Sequence, residues 1–140
     1  ESDRVGRIDA MAHALFVCIK NAGRSQIAEA LFRRGADDRH EAHSAGSAPA
    51  DRVHANVAAV FPELANRTPH KLERADAEWA DVVVTMGCGD ACPYIPGKRY
   101  VDWDLADPKD MTIEQVRELC DVIAAHVREL VEELDAVTAA

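Results

Sequence analysis

The sequence lacks a long apolar run, an excess of positive charge and a dense set of cysteines. No apolar run approaches the roughly 20 residues that a membrane-spanning helix needs, and the first residues do not read as a secretory signal. The formal net charge of −9 argues against nucleic acid or an anionic membrane as the main partner. The four cysteines lie in a chain of regular α/β pattern rather than in the disulfide framework of a secreted protein. We therefore expect a cytoplasmic protein with reactive thiols.

Short apolar segments alternate with segments of helical periodicity. The apolar segments predict strands at residues 13–18, 41–45, 81–86 and 98–103. The periodic segments predict helices at residues 25–34, 52–64, 72–80 and 112–136. We expect Gly35 to end the first helix, Pro62 to end the second near Phe61, and Thr112 with Gln115 to form a capping box. Alternating strands and helices predict an α/β fold with a parallel sheet and helices on both faces.

The segment that joins the first predicted strand to the first predicted helix carries the clearest chemical signal. Cys18 ends the strand, and Arg24 and Ser25 follow after five intervening residues, at the start of the helix. Backbone N–H groups in such a loop converge on an anion, and the helix N-terminus adds partial positive charge. Arg24 offers a planar fork that matches a tetrahedral oxyanion, and the same surroundings favour the Cys18 thiolate. The alternative is that Cys18 is a buried structural cysteine before an ordinary turn. Against it, no packing reason is obvious for Gly23, Arg24 and Ser25 together.

Two further loop residues have alternative roles. Ser25 could donate a hydrogen bond to the Cys18 thiolate, or it could only cap the helix, and both roles are compatible. Asn21 could adopt a left-handed conformation and orient the loop through its side chain, or it could be a plain turn residue.

The segments around Cys18, residues 87–97 and Asp107 each follow a predicted strand. Ligands of parallel sheets bind beyond the carboxyl ends of the strands, so these three loops can meet at one edge.

Two stretches of the sequence resemble one known family. Residues 16–31 resemble the active-site loop of the low-molecular-weight tyrosine phosphatase superfamily, and residues 82–93 with 96–108 resemble its thioredoxin-coupled arsenate reductase branch. The resemblance covers roughly residues 12–135. It implies four parallel strands with flanking helices, in a catalytic domain spanning residues 12–140 after a linker or extension at residues 1–11.

The resemblance also implies the roles of several residues. Cys18 would be the nucleophile, Arg24 would bind the oxyanion, and Asp107 would be the general acid that protonates a leaving oxygen. A turn residue before Pro108 is the alternative for Asp107. The oxyanion-binding loop would consist of Lys20, Asn21, Ala22, Gly23, Arg24 and Ser25. The substrate would be arsenate, with phosphate or sulfate as analogues.

Cys88 and Cys92 distinguish the two branches, because a phosphatase needs no second thiol. By resemblance, Cys88 attacks the Cys18 sulfur after arsenate has been bound covalently, arsenite leaves, and Cys92 then attacks Cys88. Thioredoxin would reduce the resulting Cys88–Cys92 disulfide. Gly87 and Gly89 flank Cys88, which suits a loop that moves between two partners.

Other interpretations of this cysteine pair stay open. A zinc site lacks a second Cys/His pair at metal-binding spacing, and two unreactive loop cysteines are the other alternative. Only three residues separate Cys88 from Cys92, which is a shorter gap than in the best-known members of the family. If Cys92 did not act, a small thiol such as mycothiol could complete the reduction.

The whole-chain alternatives are a phosphatase that uses Cys18, Arg24 and Asp107, and a non-catalytic oxyanion sensor or redox-regulated binding module. Residues 109–112 offer no aromatic platform for a phosphotyrosine ring. Cys120 lies in the apolar stripe of the last predicted helix, where we expect a buried, inert thiol.

The sequence predicts no resident cofactor or structural metal. Some family members bind potassium near the active site, and the resemblance would give Glu29, Ser44, Thr68 and His70 as its surroundings. His70 stands where a carboxylate would be expected and is a poor partner for an alkali ion.

Overall fold

The computed structural model describes residues 11–87 and 94–138. Within these ranges the strands are β1 (His13–Cys18), β2 (Glu41–Gly46), β3 (Val82–Thr85) and β4 (Arg99–Asp102). The helices are α1 (Arg24–Ala36), α2 (Ala55–Val60), α3 (Arg74–Trp79) and α4 (Ile113–Thr138), and 3₁₀ turns occupy Pro62–Leu64 and Pro108–Asp110. Every strand and α-helix lies on a segment that the sequence predicts.

The four strands form one parallel sheet in the order β2-β1-β3-β4. Strand β1 is central: Val17 pairs with Ala45 of β2 on one side and with Thr85 of β3 on the other. Its residues from Ala14 to Cys18 are buried, which explains why this strand is continuously apolar rather than alternating. The predicted fold class is confirmed.

Helices cover both faces of the sheet. The larger apolar cluster joins one face, including Phe16 and Val84, to buried side chains of α1, α2 and α4. A smaller cluster on the other face places Leu15 and Val17 against Ala80 and Trp79 at the end of α3. None of the helices in the described ranges is long and apolar enough to cross a membrane.

One predicted helix end differs from the structure. Helix α1 continues through Gly35, where an added Cβ would lie 3.9 Å from Val131 Cγ2 of α4, and it ends at Ala36 before Asp37 at positive φ. The predicted end of the second helix near Phe61 is confirmed, because α2 ends at Val60 and Pro62 begins a 3₁₀ turn. Helix α2 starts at Ala55, three residues later than predicted.

The predicted capping box of α4 is confirmed. The Gln115 backbone N–H donates to Thr112 Oγ1 at 3.1 Å, and the Thr112 N–H donates to Gln115 Oε1 at 2.9 Å. This reciprocal pair starts α4 a few residues after Asp107, so it fixes the far end of the loop that carries that carboxylate.

Candidate active site

Cys18 is the last residue of β1, and its side chain is almost completely buried. Two groups hold its sulfur: Ser25 Oγ lies 2.9 Å from Cys18 Sγ, and the Asn21 backbone N–H donates to it at 3.3 Å. Of the two roles predicted for Ser25, the contact with the thiol is the one observed. A sulfur in reach of a hydroxyl and an amide donor is well placed to carry negative charge.

The hydrogen bonds of the Asn21 side chain fix the orientation of its amide group. Its Oδ1 accepts the His70 backbone N–H at 2.9 Å, and a backbone N–H can only donate. Asn21 Nδ2 therefore donates to Ser25 Oγ at 2.7 Å and to Ser44 Oγ at 3.0 Å. The Ser25 hydroxyl accepts from Asn21 and keeps its own proton, which it can donate to Cys18 Sγ when the sulfur is a thiolate.

The backbone of Asn21 has the positive φ that the sequence predicts, with φ at 51°. Its side chain also orients the loop, since Gln26 Nε2 donates both to Asn21 Oδ1 at 3.0 Å and to Asn21 O at 3.2 Å. The expectation of a loop-organising asparagine is confirmed.

Arg24 begins α1 and turns its guanidinium toward the loop that follows β4. Its Nη1 donates to the Leu105 carbonyl at 3.2 Å, and its Nη2 lies 3.8 Å from Asp107 Oδ2. The Arg24 side chain is only 10% exposed, whereas that of Asp107 is 54% exposed. Asp107 also accepts the Lys109 backbone N–H at 3.1 Å. The structure thus brings the predicted oxyanion arginine and the predicted general acid side by side, at the carboxyl edge of the sheet.

Gly23 has a packing role that the sequence did not reveal. A Cβ at this position would lie 2.6 Å from Pro108 Cγ, so only glycine allows Pro108 to approach the loop this closely. Since Pro108 directly follows Asp107, this contact holds the carboxylate beside the oxyanion loop.

The remaining loop residues are also located. Ala22 is buried and its carbonyl accepts the His54 N–H at 2.9 Å, while Lys20 is exposed and its carbonyl accepts the Ala50 N–H at 3.0 Å. These two hydrogen bonds hold the backbone of the loop against the segment after β2. The Lys20 side chain is exposed to solvent.

Glu29 is a buried carboxylate on α1, with 1% of its side chain exposed. Its Oε1 accepts Ser44 Oγ at 2.6 Å and Arg67 Nη2 at 2.8 Å, and its Oε2 accepts Arg33 Nε at 2.9 Å. Two guanidinium groups thus compensate its charge. Because Ser44 also accepts from Asn21, this ion cluster is joined to the hydrogen bonds around Cys18.

The residues that the resemblance gives for a potassium site fit an alkali ion poorly. Arg33 and Arg67 already supply positive charge at Glu29, and Thr68 is exposed. The His70 imidazole turns away to Asp76, with Nε2 3.0 Å from Oδ2. Within the described ranges, no three His, Cys, Asp or Glu side chains form a group that could hold a metal ion.

The other predicted site residues, Cys88 and Cys92, lie outside the described residues. Cys120 is buried in α4 as predicted, and burial, followed by the nearby charge of Asp121, raises the pKa of its thiol to about 11.

Sequence analysis missed several residues of the site. Gln26 supports Asn21, and Arg67 reaches Glu29 across 38 positions of sequence. A glutamate that is buried in a helix needs a cationic partner. The sequence does not show which arginine provides it.

Comparison with known proteins gives the family context. A family model described as "Low molecular weight phosphotyrosine protein phosphatase" matches residues 13–139. The match begins at β1 and extends through α4, so it includes Cys18, Arg24 and Asp107.

Similar proteins are named as arsenate reductases. A Halobacterium salinarum protein named "Putative arsenate reductase" is 38% identical over 129 residues, which cover 86% of this chain and 91% of that protein. "Glutaredoxin arsenate reductase" of Synechocystis sp. is 30% identical over 131 residues, covering 89% of this chain and 96% of that protein. The solved structure of a thioredoxin-dependent arsenate reductase from Corynebacterium glutamicum has a TM-score of 0.79 and 36% identity. That match covers 94% of this chain but 65% of the other.

Proposed function

This chain belongs to the low molecular weight phosphotyrosine protein phosphatase family and is an enzyme, and we propose that it reduces arsenate to arsenite. Cys18 is the nucleophile, Arg24 and the loop from Lys20 to Ser25 bind the oxyanion, and Asp107 is the general acid. The hydrogen-bond direction around Cys18 supports the first role, because Asn21 leaves the Ser25 proton free to stabilise a thiolate.

In the first step, the Cys18 thiolate attacks arsenic and one oxygen leaves as water after protonation by Asp107. The Cys88 thiolate then attacks the Cys18 sulfur. The electron pair of the sulfur–arsenic bond passes to arsenic, which leaves as arsenite, and a Cys18–Cys88 disulfide forms. Cys92 next attacks Cys88, which frees Cys18 and leaves a Cys88–Cys92 disulfide. Two electrons from a dithiol donor restore the starting state.

The observation that carries the choice of reductase over phosphatase concerns Gly87, the residue before Cys88. A Cβ on Gly87 would lie 3.0 Å from Arg24 Nη1, so the residue that precedes the second thiol in sequence lies next to the oxyanion arginine. A segment that starts beside the arginine and carries two cysteines has a use in a relay of thiols and none in simple hydrolysis.

We take thioredoxin as the electron donor, because the Corynebacterium glutamicum protein is described as thioredoxin-dependent. The Synechocystis relative is named for glutaredoxin instead, so a different dithiol or a small thiol such as mycothiol is the alternative outcome. A disulfide that must be reduced in every cycle fits a reducing compartment, so we assign the reaction to the cytoplasm.

Arsenate-dependent NADPH consumption with thioredoxin and its reductase tests this proposal. Wild type should consume NADPH, and Cys18→Ser, Cys88→Ser and Cys92→Ser should each abolish turnover. Cys120→Ser is the matched control, because that thiol is buried in α4, and it should keep the wild-type rate. Activity that survives in Cys92→Ser alone would indicate a donor that reduces the Cys18–Cys88 bond directly.

A phosphatase is the second candidate, since the Arg24 and Asp107 pair serves it equally well. Turnover of an aryl phosphate that survives Cys88→Ser, in a protein without arsenate-dependent activity, would favour that function over arsenate reduction.

A further inference from the structure

We propose that Gly87 is a positioning residue for the oxyanion arginine, because its missing side chain makes the slot in which the Arg24 guanidinium lies. This inference rests on the proposed oxyanion-binding role of Arg24. Gly87 itself touches neither substrate nor reacting atoms in this account. It acts on anion binding through Arg24.

The walls of the slot come from two segments, since Gly87 follows β3 while Leu105 and Asp107 follow β4. Arg24, which occupies the slot, is the first residue of α1. The guanidinium donates through Nη1 to the Leu105 carbonyl at 3.2 Å, and its Nη2 lies 3.8 Å from Asp107 Oδ2. A Cβ at Gly87 would lie 3.0 Å from the same Nη1 and 3.8 Å from Cζ and Nη2. Gly87, Leu105 and Asp107 thus all lie next to the guanidinium.

A side chain at position 87 would move the guanidinium rather than the backbone. Real Cβ contacts are rarely as short as 3.0 Å, so the neighbour must shift by a few tenths of an ångström. The neighbour here is the far end of a long side chain, which shifts more easily than a strand or helix. A guanidinium that binds an oxyanion through two parallel hydrogen bonds no longer matches the geometry of the anion once it is displaced. The affinity for the anion should therefore fall.

The chain offers a matched control for this substitution. Gly87 has a φ of 90°, and Gly97 has a φ of 92°, so alanine is strained to a similar degree at either position. A Cβ at Gly97 would meet nothing within 4 Å. Gly97→Ala therefore reproduces the backbone strain of Gly87→Ala without the contact on Arg24.

The experiment measures three quantities in Gly87→Ala, Gly97→Ala and wild type: KM for arsenate, the inhibition constant of inorganic phosphate, and the thermal midpoint. We expect Gly87→Ala to raise KM and the phosphate constant about three- to tenfold. The phosphate constant isolates anion binding, because the binding of phosphate uses no thiol exchange. Gly97→Ala should keep the wild-type constants while losing a similar amount of thermal stability.

Asparagine tests the same contact with less backbone strain, because it tolerates positive φ better than alanine. Gly87→Asn should weaken phosphate binding at least as much as Gly87→Ala, and Gly97→Asn should leave it unchanged. Equal constants at positions 87 and 97 would overturn the proposal. If neither Gly87 variant folds while both Gly97 variants do, the contact serves folding, which also overturns it. A wild type that neither turns over arsenate nor binds phosphate would instead contradict the proposed function itself.

Discussion

At the scale of residues, the sulfur of Cys18 contacts the side chain of Ser25, seven positions along the chain. Ser25 Oγ lies 2.9 Å from its sulfur, and Asn21 donates to the same hydroxyl at 2.7 Å. Since Asn21 is itself oriented by the backbone N–H of His70, groups that do not take part in the reaction hold the Ser25 hydroxyl beside the sulfur.

Replacing Ser25 by alanine should therefore slow the reaction of Cys18 with an alkylating agent. A hydrogen bond to a charged group contributes roughly 1.5–3 kcal/mol, so the rate at neutral pH should fall about tenfold or more. The rate is measured with iodoacetamide by following the mass of the peptide that carries Cys18. Ser25→Thr keeps the hydroxyl and is the control. Alkylation of Ser25→Ala at the wild-type rate would show that the hydroxyl does not stabilise the thiolate.

Cys120 provides a pH-dependent prediction. Burial raises the pKa of its thiol from 9.0 to about 11, so the unfolded chain releases this proton at a lower pH than the folded protein. Between about pH 9 and 11 the folded state thus binds more protons than the unfolded state, and the free energy of unfolding falls as pH rises.

Urea unfolding at pH 8, 9 and 10 measures this effect when wild type is compared with Cys120→Ser, which does not ionise in this range. The difference in unfolding free energy between the two proteins should shift in favour of the variant as the pH rises. Parallel curves for the two proteins would mean that the thiol ionises equally in both states.

At the scale of elements, the Glu29 cluster joins α1 and β2 to the loop before α3. Glu29 lies on α1, Ser44 on β2 and Arg67 on that loop, and their contacts are 2.6 and 2.8 Å long. Ser44 then continues to Asn21 at 3.0 Å, so the position of the oxyanion loop depends on a cluster of charges behind it.

Arg67→Met should destabilise the protein, because it removes one of the two guanidinium groups that compensate a buried carboxylate. Arg33 remains, so we expect a loss of about 1–3 kcal/mol in the free energy of unfolding. Arg52→Met, at an exposed arginine, is the control and should stay within about 0.5 kcal/mol of wild type. Equal stabilities of the two variants in urea would contradict a compensating role for Arg67.

At the scale of the whole molecule, the parallel sheet places the loops of β1, β3 and β4 at one edge. The sequence was sufficient to predict this arrangement, because the buried strands are continuous apolar runs and the helices carry clear stripes. The three residues that the sequence pattern and the family resemblance predict for the site lie at this edge: Cys18 ends β1, Arg24 begins α1 and Asp107 follows β4.

The sequence could not predict the contacts between segments that are far apart in the chain. The approach of Pro108 to Gly23, the slot of Gly87 over Arg24, and the pairing of Arg67 with Glu29 each join distant positions. No local periodicity records such contacts. The prediction that Gly35 ends α1 was wrong for a similar reason, because the packing of α4 beside Gly35 is visible only in three dimensions.

The measurement that tests the relay most directly is a single turnover without any reductant. Fully reduced protein is mixed with arsenate, arsenite is quantified, and the disulfides are mapped by mass spectrometry of proteolytic peptides. We predict one arsenite per chain and a disulfide between Cys88 and Cys92, with Cys92→Ser trapping Cys18 bonded to Cys88. Protein that stays fully reduced and releases no arsenite would contradict the account.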